Sequence, residues 1–209
     1  MKAAEIDSFI FLDTCSLLES CWNREGNGEF IYSAQKAQKF WGPEMKSLIC
    51  AGSVFLTRRN YEELIKLSIV HGDPKRPQLG ERSEEVIKRL STLVESKSIE
   101  IIGDPNDPFA DAVLLSVALR FRTSKNLLFL TQDRALAHDL HSVSHFKSVR
   151  PRKGCELKVR RINRNGIIEP WCFKRMQPTS HPQEIEKTNC VHPHSVTDQP
   201  TNPVQEWWC

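Results

Sequence analysis

The feature that most constrains this chain is a series of short apolar segments, each followed within a few residues by a carboxylate. In residues 109–133, apolar residues at helical spacing lead into an apolar run at 127–130 and then to Asp133. A continuous apolar run of this length is typical of a parallel strand covered on both faces. Because ligands gather beyond the carboxyl ends of such strands, Asp133 is expected at a functional edge, with Asp111 nearby at the start of the preceding helix.

The same alternation of strand and helix extends over the first 146 residues. Strands are predicted at 9–12, 53–57, 99–102 and 127–131. Helices are predicted after Asp13, over 33–51 with an interruption or bend near Gly42, and over 58–71, with others opening near residues 83, 109 and 134. This order predicts an α/β fold with a mostly parallel central sheet.

Composition excludes several other classes of protein. The chain has no apolar run of the roughly 18 residues that a membrane span needs, so no membrane association is expected. Two acids precede the first apolar run and no cleavage pattern follows it, which is unlike a secretory signal. Seven cysteines without regular spacing or a CxxC pair predict reduced thiols in a cytoplasmic protein.

Charge divides the chain into three segments. Residues 1–146 carry 18 Lys and Arg against 20 Asp and Glu, residues 147–176 carry 10 against 2, and residues 177–209 carry 1 against 4. The basic segment is predicted to be a β-hairpin that turns at the sequence from Asn163 to Gly166, and the Pro-rich tail from 177 on is predicted to be disordered. A basic block of this kind indicates nucleic-acid binding, although a solvated basic surface is the alternative.

The carboxylates near the strand ends suggest a metal site. Asp13 and Asp133 follow the first and fourth strands, Asp111 opens a helix, and Glu62 and Glu63 lie on the helix after the second strand. Carboxylates brought this close repel one another, and a hard divalent cation such as Mg²⁺ or Mn²⁺ relieves that repulsion. Taken singly, Asp111, Asp133 or Asp104 is better explained as a helix cap or first-turn residue than as a ligand, and the arrangement of several acids at strand ends is what favours a metal site.

At this point the sequence resembles the PIN-domain nucleases, including the small VapC-like ribonucleases. The similarity lies in FIFLDTCSLL at 9–18, VFLTRRNYEELIKL at 54–67, DPFADAVLLSVAL at 107–119 and LLFLTQDRALA at 127–137. The resemblance covers about residues 7–146 and implies a three-layer α/β/α nuclease domain, assigned to 1–146. The basic hairpin extension at 147–176 and the tail at 177–209 exceed the compact PIN unit and inherit no role from the resemblance. The acids that match the family pattern are Asp13, Glu63, Asp111 and Asp133.

The resemblance implies metal-dependent hydrolysis of RNA phosphodiesters. Asp13, Asp111 and Asp133 are the expected ligands of Mg²⁺ or Mn²⁺, and Glu63 is expected to complete the shell or orient a water. The expected partners are RNA, an antitoxin-like inhibitor protein if the chain is a toxin of a toxin–antitoxin or defence system, and a second copy in a homodimer. Phosphate contacts are expected from five side chains: Ser16, Thr131, Arg134, Arg160 and Arg161.

Two departures from the family pattern affect these expectations. Cys15 stands where small bacterial toxins often carry Asn, and the neighbouring Glu62 is a possible substitute for Glu63. Three alternatives stay open: a PIN-like scaffold that binds RNA or protein without cutting, a DNA-directed nuclease, and a haloacid-dehalogenase-type phosphatase. The last is disfavoured because Cys15 occupies the position of the second aspartate that such a phosphatase needs.

Overall fold

A computed structural model describes residues 8–69, 78–104, 106–107, 109–146 and 154–173. The chain divides into two compact units, Met1–Trp171 and Cys172–Cys209, and the described helices and strands all belong to the first. Of the second unit, only residues 172 and 173 are described. The predicted disordered tail at 177–209 and the basic residues at 147–153 therefore lie outside the described residues.

A six-stranded sheet forms the centre of the first unit, in the order β5-β4-β1-β6-β7-β8. The first five strands in this order are parallel, and β8 pairs antiparallel with β7. A separate antiparallel pair consists of β2 and β3. The strand bounds are β1 Ser8–Leu12, β2 Trp22–Arg24, β3 Phe30–Tyr32, β4 Ser53–Thr57, β5 Ile99–Ile102, β6 Asn126–Leu130, β7 Leu157–Ile162 and β8 Ile168–Pro170.

Seven α-helices connect and cover these strands. They are α1 Thr14–Glu19, α2 Ala34–Lys39, α3 Met45–Ala51, α4 Arg58–Ile69, α5 Leu79–Glu95, α6 Ala110–Phe121 and α7 Arg134–Ser144. A π-helical turn, Phe40–Glu44, joins α2 to α3 and contains Pro43. This turn is the predicted bend in the 33–51 helix, because proline removes one hydrogen-bond donor and its ring displaces the backbone of the preceding turn.

The alternating side chains of the central strands enter two different cores. On one face, Ile10 and Leu12 of β1 pack in a buried cluster with residues of α1, α3, α4 and α5. On the other face, Phe11 lies 5.1 Å from Phe129 and 5.5 Å from Phe55 between ring centroids, and Phe9 contacts Phe121 of α6. Helices therefore flank both faces of the sheet, as the apolar runs predict for buried parallel strands.

The structure confirms the α/β class and the mostly parallel sheet. It also adds two features that the sequence analysis did not predict. The segment after α1 forms the β2–β3 hairpin instead of a simple break in the chain. The basic hairpin joins the central sheet, because β7 pairs in parallel with β6 over four residues.

The turn of the basic hairpin requires a glycine at position 166. Gly166 has a φ of +80°, a conformation that residues with a side chain rarely adopt. A Cβ at this position would lie 2.5 Å from the backbone oxygen of Lys36, so the turn lies directly against α2. Asn163 accepts hydrogen bonds from the amides of Asn165 and Ile167, which closes the turn at the predicted Asn-Gly sequence.

Two further findings concern cysteines and membranes. No disulfide joins any two of the five cysteines in the described part of the chain. Among the described helices, none has the length and apolar character needed to cross a bilayer.

Candidate functional site

The carboxyl ends of the parallel strands bring the predicted acids to one edge of the sheet. Asp13 comes directly after β1, and its amide donates to the Leu130 carbonyl at 3.0 Å, which ties it to the end of β6. Asp133 lies three residues beyond that end, where it begins α7. Glu63 lies on α4, which follows β4 directly, and Asp111 lies in the first turn of α6.

Asp13 is the most enclosed of these acids, with only 6% of the residue exposed. One carboxylate oxygen, Oδ1, accepts a hydrogen bond from Asn60 Nδ2 at 3.0 Å. The other, Oδ2, accepts from Cys15 Sγ at 2.6 Å and from Thr131 Oγ1 at 2.7 Å. The Asp13 carboxylate is therefore oriented by side chains from α4, from α1 and from the loop after β6.

Burial raises the pKa of Asp13 to about 6. The hydrogen bonds from Cys15 and Thr131 lower this pKa, whereas the charges of Asp111 and Glu63 raise it. Burial therefore outweighs the hydrogen bonds that favour the charged form of Asp13, and the neighbouring negative charges act in the same direction as burial.

Glu63 belongs to the same network through Thr14. Its Oε2 accepts a hydrogen bond from Thr14 Oγ1 at 2.7 Å, and Thr14 Oγ1 in turn accepts from Asn60 Nδ2 at 3.0 Å. Burial raises the pKa of Glu63, the Thr14 hydrogen bond opposes this, and the charge of Asp111 raises the pKa further. Glu62 instead pairs with Arg59 at 3.4 Å, so the structure connects Glu63, and not Glu62, to Asp13.

The two remaining acids are less enclosed. Asp133 is the N-cap of α7, and its Oδ1 accepts from the amides of Ala135 at 2.6 Å and Leu136 at 3.0 Å. The cap interpretation is therefore correct for this residue, as far as Oδ1 is concerned. Asp111 is exposed as a residue, but its carboxyl is partly enclosed. This partial burial, and then the charges of Asp133 and Asp139, raise the pKa of the carboxyl.

The donor chemistry of this edge fits Mg²⁺ or Mn²⁺, because the acids offer carboxylate oxygens whose mutual repulsion a divalent cation would relieve. Their spacing fits less well. Within the described residues, no three His, Cys, Asp or Glu side chains lie close enough together to hold a metal ion. Binding of a metal ion would therefore require the less enclosed side chains of Asp111 and Asp133 to move toward Asp13.

The five predicted substrate-binding residues lie in very different surroundings. Thr131 is fully buried and bonds to Asp13, whereas Arg134 is exposed at the first position of α7. Arg160 is half-buried on β7, and Arg161 pairs with Glu169 at 2.7 Å. Ser16 is completely buried, and its hydroxyl has no hydrogen-bond partner among the described residues.

Several residues that contact the acids were not predicted from the sequence. Asn60 is fully buried and bonds to Asp13 and Thr14, and Thr57 donates a hydrogen bond to its side-chain oxygen. Cys15, considered only as a departure from a family pattern, donates to Asp13 and accepts from the Gln132 amide at 3.2 Å. One signal was available: Asn60 precedes Glu63 by three residues, which places both on one face of α4.

No protein-family model matches the chain, and no curated protein matches it in a sequence comparison.

Proposed function

We propose that this protein is a PIN-type, metal-dependent endoribonuclease that hydrolyses RNA phosphodiester bonds at the carboxyl edge of its sheet. The observation that carries the proposal is the enclosed Asp13 carboxylate, which is held by three donors and whose pKa is raised by burial and further by the charges of Asp111 and Glu63. Burying the Asp13 carboxylate near other negative charges costs stability, so a catalytic use is the better explanation for this arrangement.

The residues have distinct roles in this proposal. Mg²⁺ or Mn²⁺, held by Asp13, Asp111 and Asp133, would supply positive charge at the scissile phosphate and activate water as the nucleophile. Asn60, Cys15 and Thr131 keep the Asp13 carboxylate in one orientation. Glu63, whose pKa is raised by burial, accepts or orients the proton of the attacking water.

The direct test is incubation of the purified protein with a mixture of RNA and DNA, with Mg²⁺, with Mn²⁺ and with a chelator. We expect metal-dependent internal cleavage of single-stranded or looped RNA. Cleavage of DNA alone would reassign the substrate, and cleavage of neither polymer with either metal would overturn the proposal. Selection for an inhibitor protein and measurement of the oligomeric state would then address its membership of a toxin–antitoxin system and its assembly as a homodimer.

Metal binding has an expected effect on stability that can be measured without substrate. Saturating Mn²⁺ should raise the melting temperature by about 5–10 °C, because a ligand at 100 times its Kd stabilises the native state by about 2.7 kcal/mol. Asp111→Asn should remove most of this gain while leaving the metal-free melting temperature unchanged or slightly higher, since it relieves repulsion with Asp133 and Asp139. Thermal melts monitored by circular dichroism provide the measurement.

Asp104→Asn is the matched control, because Asp104 also follows a strand but is exposed and accepts a hydrogen bond from the Asn106 amide. This variant should keep the full Mn²⁺ response. An Asp111→Asn protein that keeps the response would remove Asp111 from the set of ligands. A sharp fall in its metal-free melting temperature would instead identify Asp111 as a structural residue of α6.

The described arginines near the site suggest where RNA lies. Lys158 pairs with Glu156 at 2.8 Å and Arg161 pairs with Glu169, so part of the predicted basic surface is neutralised within the hairpin. Arg160 and Arg164 form no ion pair with other described residues. The Arg160 carbonyl accepts from the Thr131 amide at 3.0 Å, which places this arginine beside the site.

The double reversal Arg160→Glu and Arg164→Glu is expected to weaken binding of single-stranded RNA and to flatten its log–log salt dependence by about 1.4. This value corresponds to two lost phosphate contacts at about 0.7 each. Binding titrations at several salt concentrations give the slope, and Lys46→Glu with Lys88→Glu controls for net charge on exposed helix positions. Equal slopes in the two double variants would show that the RNA contacts neither Arg160 on β7 nor Arg164 in the turn that follows it.

One observation favours a second candidate function. Because no three of the described acids are close enough to hold a metal ion, a PIN-like scaffold that binds RNA without cutting it is the alternative. It predicts RNA affinity that is unaffected by metal, together with no cleavage under any of the conditions above.

A further inference from the structure

Thr131 connects two of the predicted catalytic acids. Its hydroxyl donates to Asp13 Oδ2 at 2.7 Å and accepts from the backbone amide of Asp133 at 3.0 Å. The residue is fully buried, directly beyond the end of β6. The position of this one side chain therefore affects both the orientation of the Asp13 carboxylate and the path of the backbone into Asp133.

The C-terminal hairpin holds the backbone around Thr131. The Thr131 carbonyl accepts a hydrogen bond from the indole nitrogen of Trp171 at 3.0 Å, and the Thr131 amide donates to the Arg160 carbonyl at 3.0 Å. The side chain of the next residue, Gln132, donates to the Ile162 carbonyl at 2.7 Å. The loop between β6 and α7 is thus held by the hairpin on one side and by Asp13 and Cys15 on the other.

Trp171 itself is held in place by β7 and β8. Its amide donates to the Val159 carbonyl at 3.4 Å, and the guanidinium of Arg161 lies 5.5 Å from its ring centroid. Glu169 fixes that guanidinium at 2.7 Å and also accepts from Asn163 at 3.1 Å. The Arg161–Glu169 pair therefore orients the indole, which gives Arg161 a use other than phosphate binding.

We propose that Trp171 is a positioning residue for the carboxylate site: its indole N–H fixes the Thr131 peptide, so that the Thr131 hydroxyl can bridge Asp13 and Asp133. The hairpin is then a component of the site as well as a basic surface beside it. The structural part of this inference stands on the hydrogen bonds alone, and its catalytic part rests on the proposed nuclease function.

The indole N–H of Trp171 restricts rotation of the Thr131 peptide because a hydrogen bond is directional. With the indole N–H present, the Thr131 carbonyl has a directional partner, and the side chain on the same residue is held at bonding distance from Asp13. Without it, the peptide can rotate and the short Thr131–Asp13 hydrogen bond lengthens. Partners that orient metal-binding carboxylates typically change activity by about 10–100-fold when they are removed.

The test compares Trp171→Phe with Trp41→Phe. Trp41 is the matched control, because its indole also donates one hydrogen bond, to Ser20 Oγ at 2.8 Å, and it is also partly buried. The first measurement is amide hydrogen exchange by NMR in metal-free protein. Trp171→Phe should accelerate exchange at the Asp133 amide by about fivefold, the factor that corresponds to one net hydrogen bond, and Trp41→Phe should not.

The second measurement is the steady-state kinetics of RNA cleavage. Trp171→Phe should lower kcat by about tenfold, the lower end of the range for such partners, with KM nearly unchanged, because RNA contacts are retained. Trp41→Phe should change neither constant, even if the two variants lose similar stability. Replacement of Trp171 by the isosteric benzothienylalanine, which keeps the ring shape and lacks the N–H, distinguishes loss of the donor from loss of packing and serves if Trp171→Phe does not fold.

Unchanged exchange at Asp133 in the folded Trp171 variants would overturn the inference. A fall in kcat that only follows the unfolded fraction would do the same. If the unmodified protein cleaves nothing, the proposed function fails, yet the exchange experiment still decides whether Trp171 positions the Thr131 loop.

Discussion

Asp13→Asn is expected to lower the rate of RNA cleavage by about a thousandfold or more while leaving the metal-free protein at least as stable as the original. The substitution removes a charge that would hold the metal. A bound metal stabilises the transition state by several kcal/mol, and about 1.4 kcal/mol corresponds to a tenfold change in rate. Stability should not fall, because the carboxylate is almost fully enclosed and carries a pKa of about 6.

The same pKa predicts a pH dependence of stability. The folded-state pKa of Asp13 lies above the unfolded value of 3.8, so the native state binds the proton more tightly than the unfolded chain does. The free energy of unfolding of the metal-free protein should therefore fall as the pH rises from about 4 to about 6, by roughly 3 kcal/mol from this residue, and then level off. Glu63 and Asp111, also raised in pKa, contribute in the same direction.

Urea titrations across this pH range, with and without the substitution, provide the measurement. Asp13→Asn should flatten the decline, whereas the control Asp104→Asn should follow the unmodified protein. The stabilisation at neutral pH is expected to be smaller than the full pKa effect, because the asparagine amide replaces an oxygen that accepts from Cys15 and Thr131. A large loss of stability in Asp13→Asn would show that these hydrogen bonds outweigh the enclosed charge.

Glu63→Gln is expected to reduce kcat by about a hundredfold, whereas the neighbouring Glu62→Gln should change it little. Glu63 is bonded to Thr14 and interacts with the charge of Asp111, and loss of a general base typically costs about 10²–10⁴-fold. Within the described part of the chain, Glu62 pairs with Arg59 in a partly exposed ion pair, an interaction worth at most about 1 kcal/mol. Because the two residues are adjacent and identical, the pair is its own control for charge and helix propensity.

Single-turnover cleavage with saturating metal measures the chemical step for both variants. Equal losses would mean that α4 contributes only its overall negative charge to the site. A greater loss from Glu62→Gln would reverse the assignment. It would require α4 to be rotated about its axis by about 100°, the angle between adjacent residues of an α-helix, so that Glu62 faces Asp13.

The sequence was sufficient to predict the sheet and the approximate place of the acids, because both depend on local patterns. Continuous apolar runs identified β1, β4, β5 and β6, and parallel pairing then brings their carboxyl ends to one edge. The preference for Glu63 over Glu62 came from the resemblance to a family motif, and the structure connects Glu63 to Asp13 through Thr14 and Asn60.

The support around Asp13 could not be predicted in the same way. Asn60 is 47 residues from Asp13 and Thr131 is 118 residues away, so their hydrogen bonds depend on how α4 and β6 pack beside β1. An asparagine in the first turn of a helix is common for local reasons alone, and its spacing of three residues from Glu63 does not by itself identify Asp13 as its partner. Cys15 is similar, since a buried thiol usually packs as a small apolar group.

For the hairpin, the sequence predicted the pairing within it but not its pairing with the central sheet. Its turn and strands were predictable from Asn-Gly and alternating residues, yet β7 also pairs with β6 in parallel, across the crossover formed by α7. Parallel pairing has no short-range signature, because the two strands are joined through a helix and a long connection. The basic side chains suggested an extension outside the core domain. The side chains of Val159 and Ile162 are buried, however, so β7 contributes to the core.

The order of the strands has a consequence for biosynthesis. Asp13 follows the central strand β1, and its partner Thr131 lies 118 residues later in the chain. At a synthesis rate of about 5–20 residues per second, these two residues emerge about 6 to 24 s apart, and Trp171 follows later still. Throughout that interval the nascent chain carries Asp13 without the donors from β6 and the hairpin, so the complete carboxylate arrangement arises only when translation of the folded unit is finished.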